Sequence, residues 1–174
     1  MKIGLFYGST TCYTEIAAEK IQTHFDEGTV ELFNIKDNSL ADSEHFDILI
    51  YGISTWDYGE LQEDWESHWD DIDHLDLNGK IVALFGMGDQ IGYTEWFQDA
   101  LGMLHEKVTT QGGYIIGLWP NKGYEFSASK ALTKDHSHFV GLALDEDNQY
   151  NESDNRIATW CQQIQSEINH IVQS

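Results

Sequence analysis

Short apolar runs alternate along this chain with longer segments in which apolar residues recur every three or four positions. The short runs predict β-strands. Those at 46–53 and 81–86 are so continuously apolar that they predict central strands of a parallel sheet, covered on both faces. The predicted strands cover residues 3–7, 29–35, 46–53, 81–86, 114–119 and 139–144.

The longer segments predict amphipathic helices. In the segment 60–74, Trp65 and Trp69 fall on the apolar face, which predicts that both belong to the core. Residues 145–155 are acidic and predict a loop, within which Ser153 is suited to cap a last helix. The predicted helices cover residues 13–27, 60–74, 94–110 and a final stretch from about residue 153.

This repeated alternation predicts an α/β fold, a doubly wound five-stranded parallel sheet in a single domain that spans 1–174. The polar stretch 120–138 breaks the rhythm and predicts a long insertion in the fifth strand. Right-handed crossovers bring the loops after the first, third and fourth strands to the carboxyl edge, where such sheets bind ligands. All three loops contain residues that ordinary turns do not need.

The charge balance narrows the range of partners. Lys and Arg number 9 against 30 Asp and Glu, so the net charge is −21. Such a surface repels nucleic acid and anionic membranes and attracts basic proteins, although high charge also serves solubility alone. Cys12 and Cys161 have no metal-site spacing, and no apolar run is long enough to span a membrane. A cytoplasmic location is therefore predicted.

The first loop, 8–15, leads from the first strand directly into a helix. Backbone N–H groups and the positive end of the helix dipole then meet at one point, which suits a phosphate. Ser9, Thr10, Thr11 and Thr14 add hydroxyl donors, and no Lys or Arg lies within the loop. The alternative is an ordinary turn in which these hydroxyls only cap the helix.

The second and third loops carry aromatic residues among glycines. Trp56 and Tyr58 lie in the second loop and Tyr93 lies in the third, and aromatic rings at polar loop tips favour a flat ligand between them. Gly59 and Gly88 allow the backbone to approach that ligand closely. A planar heterocycle with a phosphate tail meets the demands of all three loops, and FMN fits. The alternative is that these aromatic rings pack back on their own loops.

Four stretches carry a resemblance to a known family, and they occur in the family's order. With them the chain resembles the long-chain flavodoxins over essentially its whole length. Where those proteins usually carry glycine this chain has Cys12, and the pair Cys12 and Tyr13 resembles the second flavodoxin of some gamma-proteobacteria. The stretches are GLFYGS at 4–9, TWDYGELQEDW at 55–65, GMGDQIGY at 86–93 and FVGLALDEDNQ at 139–149.

The resemblance implies the strand order 2-1-3-4-5 and a low-potential one-electron carrier that is not an enzyme. Its FMN would shuttle between semiquinone and hydroquinone, its reductase would be basic and NADPH-dependent, and it would serve acceptor redox proteins as a monomer. Trp56 and Tyr93 would flank the ring, and the Asp57 carbonyl would turn toward it. The cofactor-binding residues would be Ser9, Thr10, Thr11, Cys12, Tyr13, Thr14, Thr55, Trp56, Asp57, Tyr58, Gly59, Gly88, Asp89, Tyr93 and Asp145, with no metal ligand.

Other readings of the same residues are weaker. A low-molecular-weight tyrosine phosphatase needs an arginine six residues after its cysteine, and Ala18 occupies that position here. A receiver domain needs aspartates after the first strand, where this chain has Tyr7, Gly8 and Ser9. An FMN-dependent NAD(P)H:quinone oxidoreductase of the same fold remains the main alternative, and an acidic module without flavin is a further one.

Overall fold

The computed structural model describes residues 1–174 and contains one principal sheet. Its strands follow the order β2-β1-β3-β5-β6 and run parallel, which confirms the predicted order of a doubly wound sheet. Helices cover both faces of this sheet. The strands are β1 Ile3–Tyr7, β2 Val30–Asn34, β3 Ile48–Trp56, β4 Glu60–Leu61, β5 Ile81–Met87, β6 Tyr114–Ile116, β7 Trp119–Pro120, β8 His138–Phe139 and β9 Leu142–Leu144.

The outer edge of β5 pairs with two short strands in succession. β6 pairs with Ile81–Ala83 and β9 pairs with Phe85–Met87, both in parallel register. Residues 117–141 connect these two strands, and β7 and β8 form a small antiparallel sheet within the connection. The carboxyl end of β9 therefore reaches the same edge as the ends of β1, β3 and β5.

The helices differ from the prediction in length and position. The α-helices are α1 Tyr13–Thr23, α2 Glu63–Ser67, α3 Asp99–Thr110 and α4 Glu146–Gln173, and 3-10 helices cover Leu40–His45 and Trp69–His74.

The predicted single helix over 60–74 is wrong. Its first residues form β4, which pairs antiparallel with the end of β3, and only α2 and a 3-10 turn follow. Carboxylates spaced four apart, such as Glu66 and Asp70, repel one another along a continuous helix. Tertiary packing of Trp65 and Ile72 accounts for the helical spacing that the sequence shows, because both side chains are fully buried.

Two further helix boundaries also differ. α3 starts at Asp99 instead of 94, since Gln98 has a left-handed backbone (φ 62°) that no regular helix continues through. α4 starts at Glu146, so the predicted acidic loop over 145–155 is wrong. Asp145 caps α4 by accepting a hydrogen bond from the Asn148 amide, and the helix bends at Gln149 instead of beginning near Ser153.

The core lies in two layers on either side of the sheet. α1 and α4 cover one face, and α3 with the segment after β4 covers the other. Two fully buried tryptophans donate to backbone carbonyls: Trp65 Nε1 to Gly52 O at 2.8 Å and Trp160 Nε1 to Gly117 O at 2.9 Å. No helix is both long and apolar enough to span a bilayer.

Candidate functional site

The loop between β1 and α1 leaves a run of backbone N–H groups without acceptors in the protein. Its backbone turns through Cys12, which adopts a left-handed conformation (φ 71°, ψ −9°) directly before α1. The N–H groups from Ser9 to Thr14 donate to no backbone or side-chain acceptor of the protein. Thr10 and Thr11 are exposed beside them. The loop thus presents consecutive N–H donors at a helix N-terminus with neutral hydroxyls around them.

Two side-chain hydrogen bonds fix this loop to β3 and to the residue that precedes α2. Thr14 is buried, and its Oγ1 lies 2.7 Å from Ser54 Oγ at the end of β3. The fully buried Gln62 donates from Nε2 to Thr10 Oγ1 at 3.0 Å. The Thr14 hydroxyl, predicted to bind phosphate, is therefore engaged with Ser54 as a structural link between α1 and β3.

The second loop is a tight hairpin between β3 and β4, in which Trp56 pairs with Glu60. Asp57 (φ 43°) and Gly59 (φ 85°) both have left-handed backbones. Trp56 is the last residue of β3, so it belongs to the strand and not to the predicted loop, and its side chain is half-buried. The Thr55 hydroxyl accepts from the Ala100 amide at 2.9 Å and so caps α3.

The Tyr58 ring lies outside the hairpin and packs against the third loop. It is 67% exposed and meets Tyr93 and Trp96 edge-on, with ring centroids 6.0 and 5.0 Å away. Tyr93 donates its hydroxyl to Asp57 Oδ1 at 3.2 Å, and this hydrogen bond raises the pKa of the Tyr93 phenol. The second and third loops are thereby joined at their tips.

The third loop, after β5, is shaped by Asp89. Its Oδ1 accepts from the Ile91 amide at 3.1 Å, from the Gly92 amide at 2.6 Å and from Asn148 Nδ2 at 2.7 Å. A Cβ at position 92 would collide with the Asp89 carboxylate, so any other residue there would displace that carboxylate. Asp89 therefore fixes the loop backbone and also connects it to α4.

The three loops enclose a cavity of about 310 Å³ at the carboxyl edge of the sheet. Many of the sequence-predicted site residues meet here, from the first, second and third loops alike. The lining residues are Thr11, Tyr13, Ser54, Thr55, Trp56, Asp57, Met87, Gly88, Asp89, Tyr93, Glu146 and Asp147.

The remaining predicted residues lie beside the cavity without lining it. Asp145 is fully buried, and its carboxylate accepts from Gln90 and Asn148. Gly59 lies against Trp96 and Asp99. The other predicted residues outside the lining are Ser9, Thr10, Cys12, Thr14 and Tyr58.

Four lining residues had not been singled out from the sequence. Ser54 lies two residues before the end of β3 and Met87 ends β5, and the strand pattern itself indicates these positions beside the two ring-side loops. Glu146 and Asp147 belong to the first turn of α4, which the acidic composition of 145–155 had assigned to a loop. Burial raises the pKa of Asp147, and the nearby Asp89 raises it further.

The two ends of the cavity differ in chemistry. The first loop offers neutral donors that favour an anion, whereas the far end combines half-buried Trp56 and Tyr93 with several carboxylates. No Lys or Arg lines the cavity, and no cluster of His, Cys, Asp and Glu suits a metal ion. The donor set fits a molecule with an anionic tail and a flat uncharged ring.

Comparisons with known proteins agree with this geometry. The family model described as flavodoxin matches residues 5–160. Flavodoxin 2 of Escherichia coli is 58% identical over 168 residues, covering 97% of this chain and 97% of that protein. A flavodoxin of Nostoc sp. is 49% identical over 167 residues, covering 96% and 97%.

A solved structure extends the likeness to three dimensions. The flavodoxin of Fusobacterium nucleatum bound to flavin mononucleotide superposes with a TM-score of 0.89 at 30% sequence identity. The alignment covers 95% of this chain and 98% of the other. The similarity therefore extends over nearly the whole of both chains.

Proposed function

The chain belongs to the flavodoxin family, and from that membership we propose that its three loops hold FMN while electrons pass from a reductase to acceptor proteins. It is an FMN-dependent electron-transfer protein and not an enzyme. The observation that carries the proposal is the cavity, which joins unpaired N–H donors at one end to Trp56 and Tyr93 at the other. FMN, when bound, supplies one-electron chemistry at its ring.

The phosphate of FMN would be held by the first loop. The N–H groups of Ser9 to Thr14 donate to no acceptor of the protein, and Ser9, Thr10 and Thr11 add hydroxyl groups to the same loop. Neutral donors at a helix N-terminus bind an anion without a counter-charge, which suits a cofactor that stays bound. Tyr13 lines the cavity beside these donors.

Trp56 and Tyr93 would flank the ring, and backbone groups of Thr55, Asp57, Gly88 and Asp89 would contact its polar edge. These residues line the same cavity. The Asp57 carbonyl would be placed to accept a hydrogen bond from the ring when FMN is bound. Because Tyr58 is packed against Trp96, movement of the Asp57 peptide costs more than it would with a free turn.

The carboxylates around the cavity would lower the second one-electron reduction potential of bound FMN. Asp57, Asp89, Glu146 and Asp147 all line it, and the lining contains no cation to offset them. Added negative charge is repelled in such a site, and the repulsion strengthens as water is displaced. Asp145 contributes indirectly, since its buried carboxylate fixes the third loop.

The net charge of −21 favours basic partners. We propose a basic NADPH-dependent flavodoxin reductase as the electron donor, redox proteins as acceptors, and a monomer working in the cytoplasm. The two cysteines support a reducing setting, because both are free, Cys12 exposed and Cys161 buried. Nucleic acid and membranes are disfavoured by the same charge.

The carrier is distinguished from a quinone oxidoreductase by its response to NADPH. Protein reconstituted with FMN is mixed anaerobically with NADPH alone, and then with a catalytic amount of flavodoxin reductase, while flavin absorbance is recorded. We expect the flavin to stay oxidised until the reductase is added. Bleaching by NADPH alone would support the quinone oxidoreductase instead, and a protein that takes up no FMN would contradict both.

A further inference from the structure

Gln90 is buried between three elements next to the cavity but does not line it. Only 2% of the residue is exposed. Its backbone N–H and its Nε2 both donate to Asp145 Oδ2, at 3.0 and 2.7 Å, and Nε2 also donates to Gln149 Oε1 at 2.8 Å. Its Oε1 accepts from the Glu125 amide at 2.6 Å. One side chain therefore joins the third loop, the N-terminus of α4 and the connection 117–141.

The connection is held to α4 by the chain's single arginine. Arg156 donates from Nη1 to Gln149 Oε1 at 2.8 Å, and its guanidinium stacks on the Tyr124 ring with Cζ 4.2 Å from the centroid. Gln149 in turn donates to Gly123 O at 2.8 Å. These contacts continue the hydrogen bonds of Gln90 outward into residues 123–125.

The connection also reaches the end of the third loop directly. The amides of Ser127 and Ala128 both donate to Thr94 O, at 2.8 and 3.1 Å, and the Ser127 amide lies 2.9 Å from Thr94 Oγ1. The loop is also anchored elsewhere: Gly88 donates to Leu144 O at 3.0 Å, Asp89 accepts from Asn148 Nδ2 at 2.7 Å, and the Tyr93 hydroxyl donates to Asp57. Residues 88–94 are thus supported from outside the sheet.

We infer that Gln90 is a positioning residue for the flavin ring, and that the connection 117–141 acts through it as a buttress for the third loop. This inference rests on the proposed FMN site. Gln90 touches no part of the cavity, so its effect passes through the backbone of Gly88 and Asp89. Losing it would leave the Asp145 carboxylate buried with fewer donors, and hydrogen bonds to a buried charge are the strong ones.

The contacts make a specific prediction about the two ends of FMN. Gln90→Leu should weaken the binding of FMN and of riboflavin by the same factor, because riboflavin shares the ring but lacks the phosphate. The expected factor is about tenfold if one charge-assisted hydrogen bond is lost. The second one-electron potential of bound FMN should also shift. Dissociation constants are measured by quenching of flavin fluorescence.

Gln163→Leu is the matched control. Gln163 lies on α4 and donates to Leu118 O at 2.8 Å, so it anchors the same connection at a point away from the cavity. Both flavin affinities should be unchanged in this variant. If Gln90→Leu does not fold, Gln149→Ala can be used instead, because Gln149 is half-buried and accepts a hydrogen bond from Gln90. This variant should weaken the binding of both flavins by the same factor.

Hydrogen exchange on the flavin-free protein tests the buttress without relying on FMN. Gln90→Leu should speed exchange of the amides at 90–93 and leave those of α1 unchanged. Unchanged exchange at 90–93, unchanged flavin affinity, or a loss for FMN but not for riboflavin would each overturn the inference. A parent protein that binds neither flavin would contradict the proposed function, while the exchange data would still decide the role of Gln90.

Discussion

Cys12 has a left-handed backbone at the point where the phosphate loop enters α1. A side chain with a Cβ is strained in that conformation by about 1–2 kcal/mol relative to glycine. Its thiol forms no capping hydrogen bond, so nothing in the first turn of α1 offsets the strain. The usual glycine of the family at this position therefore has a conformational explanation, which the sequence resemblance did not supply.

Replacing Cys12 separates the effect of the backbone from that of the thiol. Cys12→Gly should raise the free energy of unfolding of the flavin-free protein by roughly 1 kcal/mol, since the strain is relieved at some cost in chain entropy. Cys12→Ala keeps the Cβ and should leave stability nearly unchanged. Urea unfolding measures both. Equal stability of the two variants would contradict this explanation.

At the level of elements, the sequence predicted the strands better than the helices. The apolar runs at 46–53 and 81–86 are continuous because those strands are buried on both faces. The helix over 60–74 was wrong because the burial of Trp65 and Ile72 reproduces helical spacing without a continuous helix. The start of α4 was missed because its cap, Asp145, lies among acidic residues typical of a loop.

Tyr124 is the residue that fastens the connection 117–141 to the sheet. Its hydroxyl donates to Ala143 O at 2.6 Å and accepts from Trp119 Nε1 at 2.9 Å. Tyr124→Phe should lower the free energy of unfolding by about 1–3 kcal/mol, because both partners lose a hydrogen bond in a largely buried site. Tyr114→Phe is the control, since Tyr114 is exposed and its hydroxyl makes no hydrogen bond. Similar losses in both variants would contradict the assigned role.

Ionisation of the Tyr124 hydroxyl makes the stability of the fold depend on pH in the alkaline range. Burial raises the pKa of Tyr124 to about 12, whereas an unfolded tyrosine titrates near 10. Between these values the folded protein binds the proton more tightly than the unfolded chain, so stability falls as pH rises above about 10. Urea unfolding from pH 9 to 12 should show a shallower decline in Tyr124→Phe. An unchanged slope would contradict this attribution.

Across the whole molecule, the excess of carboxylates opposes the compact state at neutral pH. With a net charge of −21, mutual repulsion is screened by salt. Raising NaCl from 10 to 300 mM at pH 7 should stabilise the flavin-free protein by on the order of 1 kcal/mol. At pH 4.4, near the isoelectric point, the effect should disappear. An equal rise at both pH values would indicate ion binding or general salting-out instead.

The sequence indicated residues that line the cavity but not the residues that support its loops. Trp56, Tyr93 and Gly88 stood out because aromatic residues and glycines after parallel strands have few structural explanations, and all three line the cavity. The packing partners of those loops could not be read in the same way. Gln90 looks ordinary in sequence, and its contacts with Asp145 and Glu125 exist only after distant segments meet.

A potentiometric titration of the FMN-reconstituted protein tests whether the cavity holds a low-potential one-electron flavin. We expect one FMN per chain and two separate one-electron steps, with the second potential well below that of free FMN, because carboxylates surround the cavity and no lining cation offsets them. A single two-electron step at the potential of free FMN would contradict the proposed function.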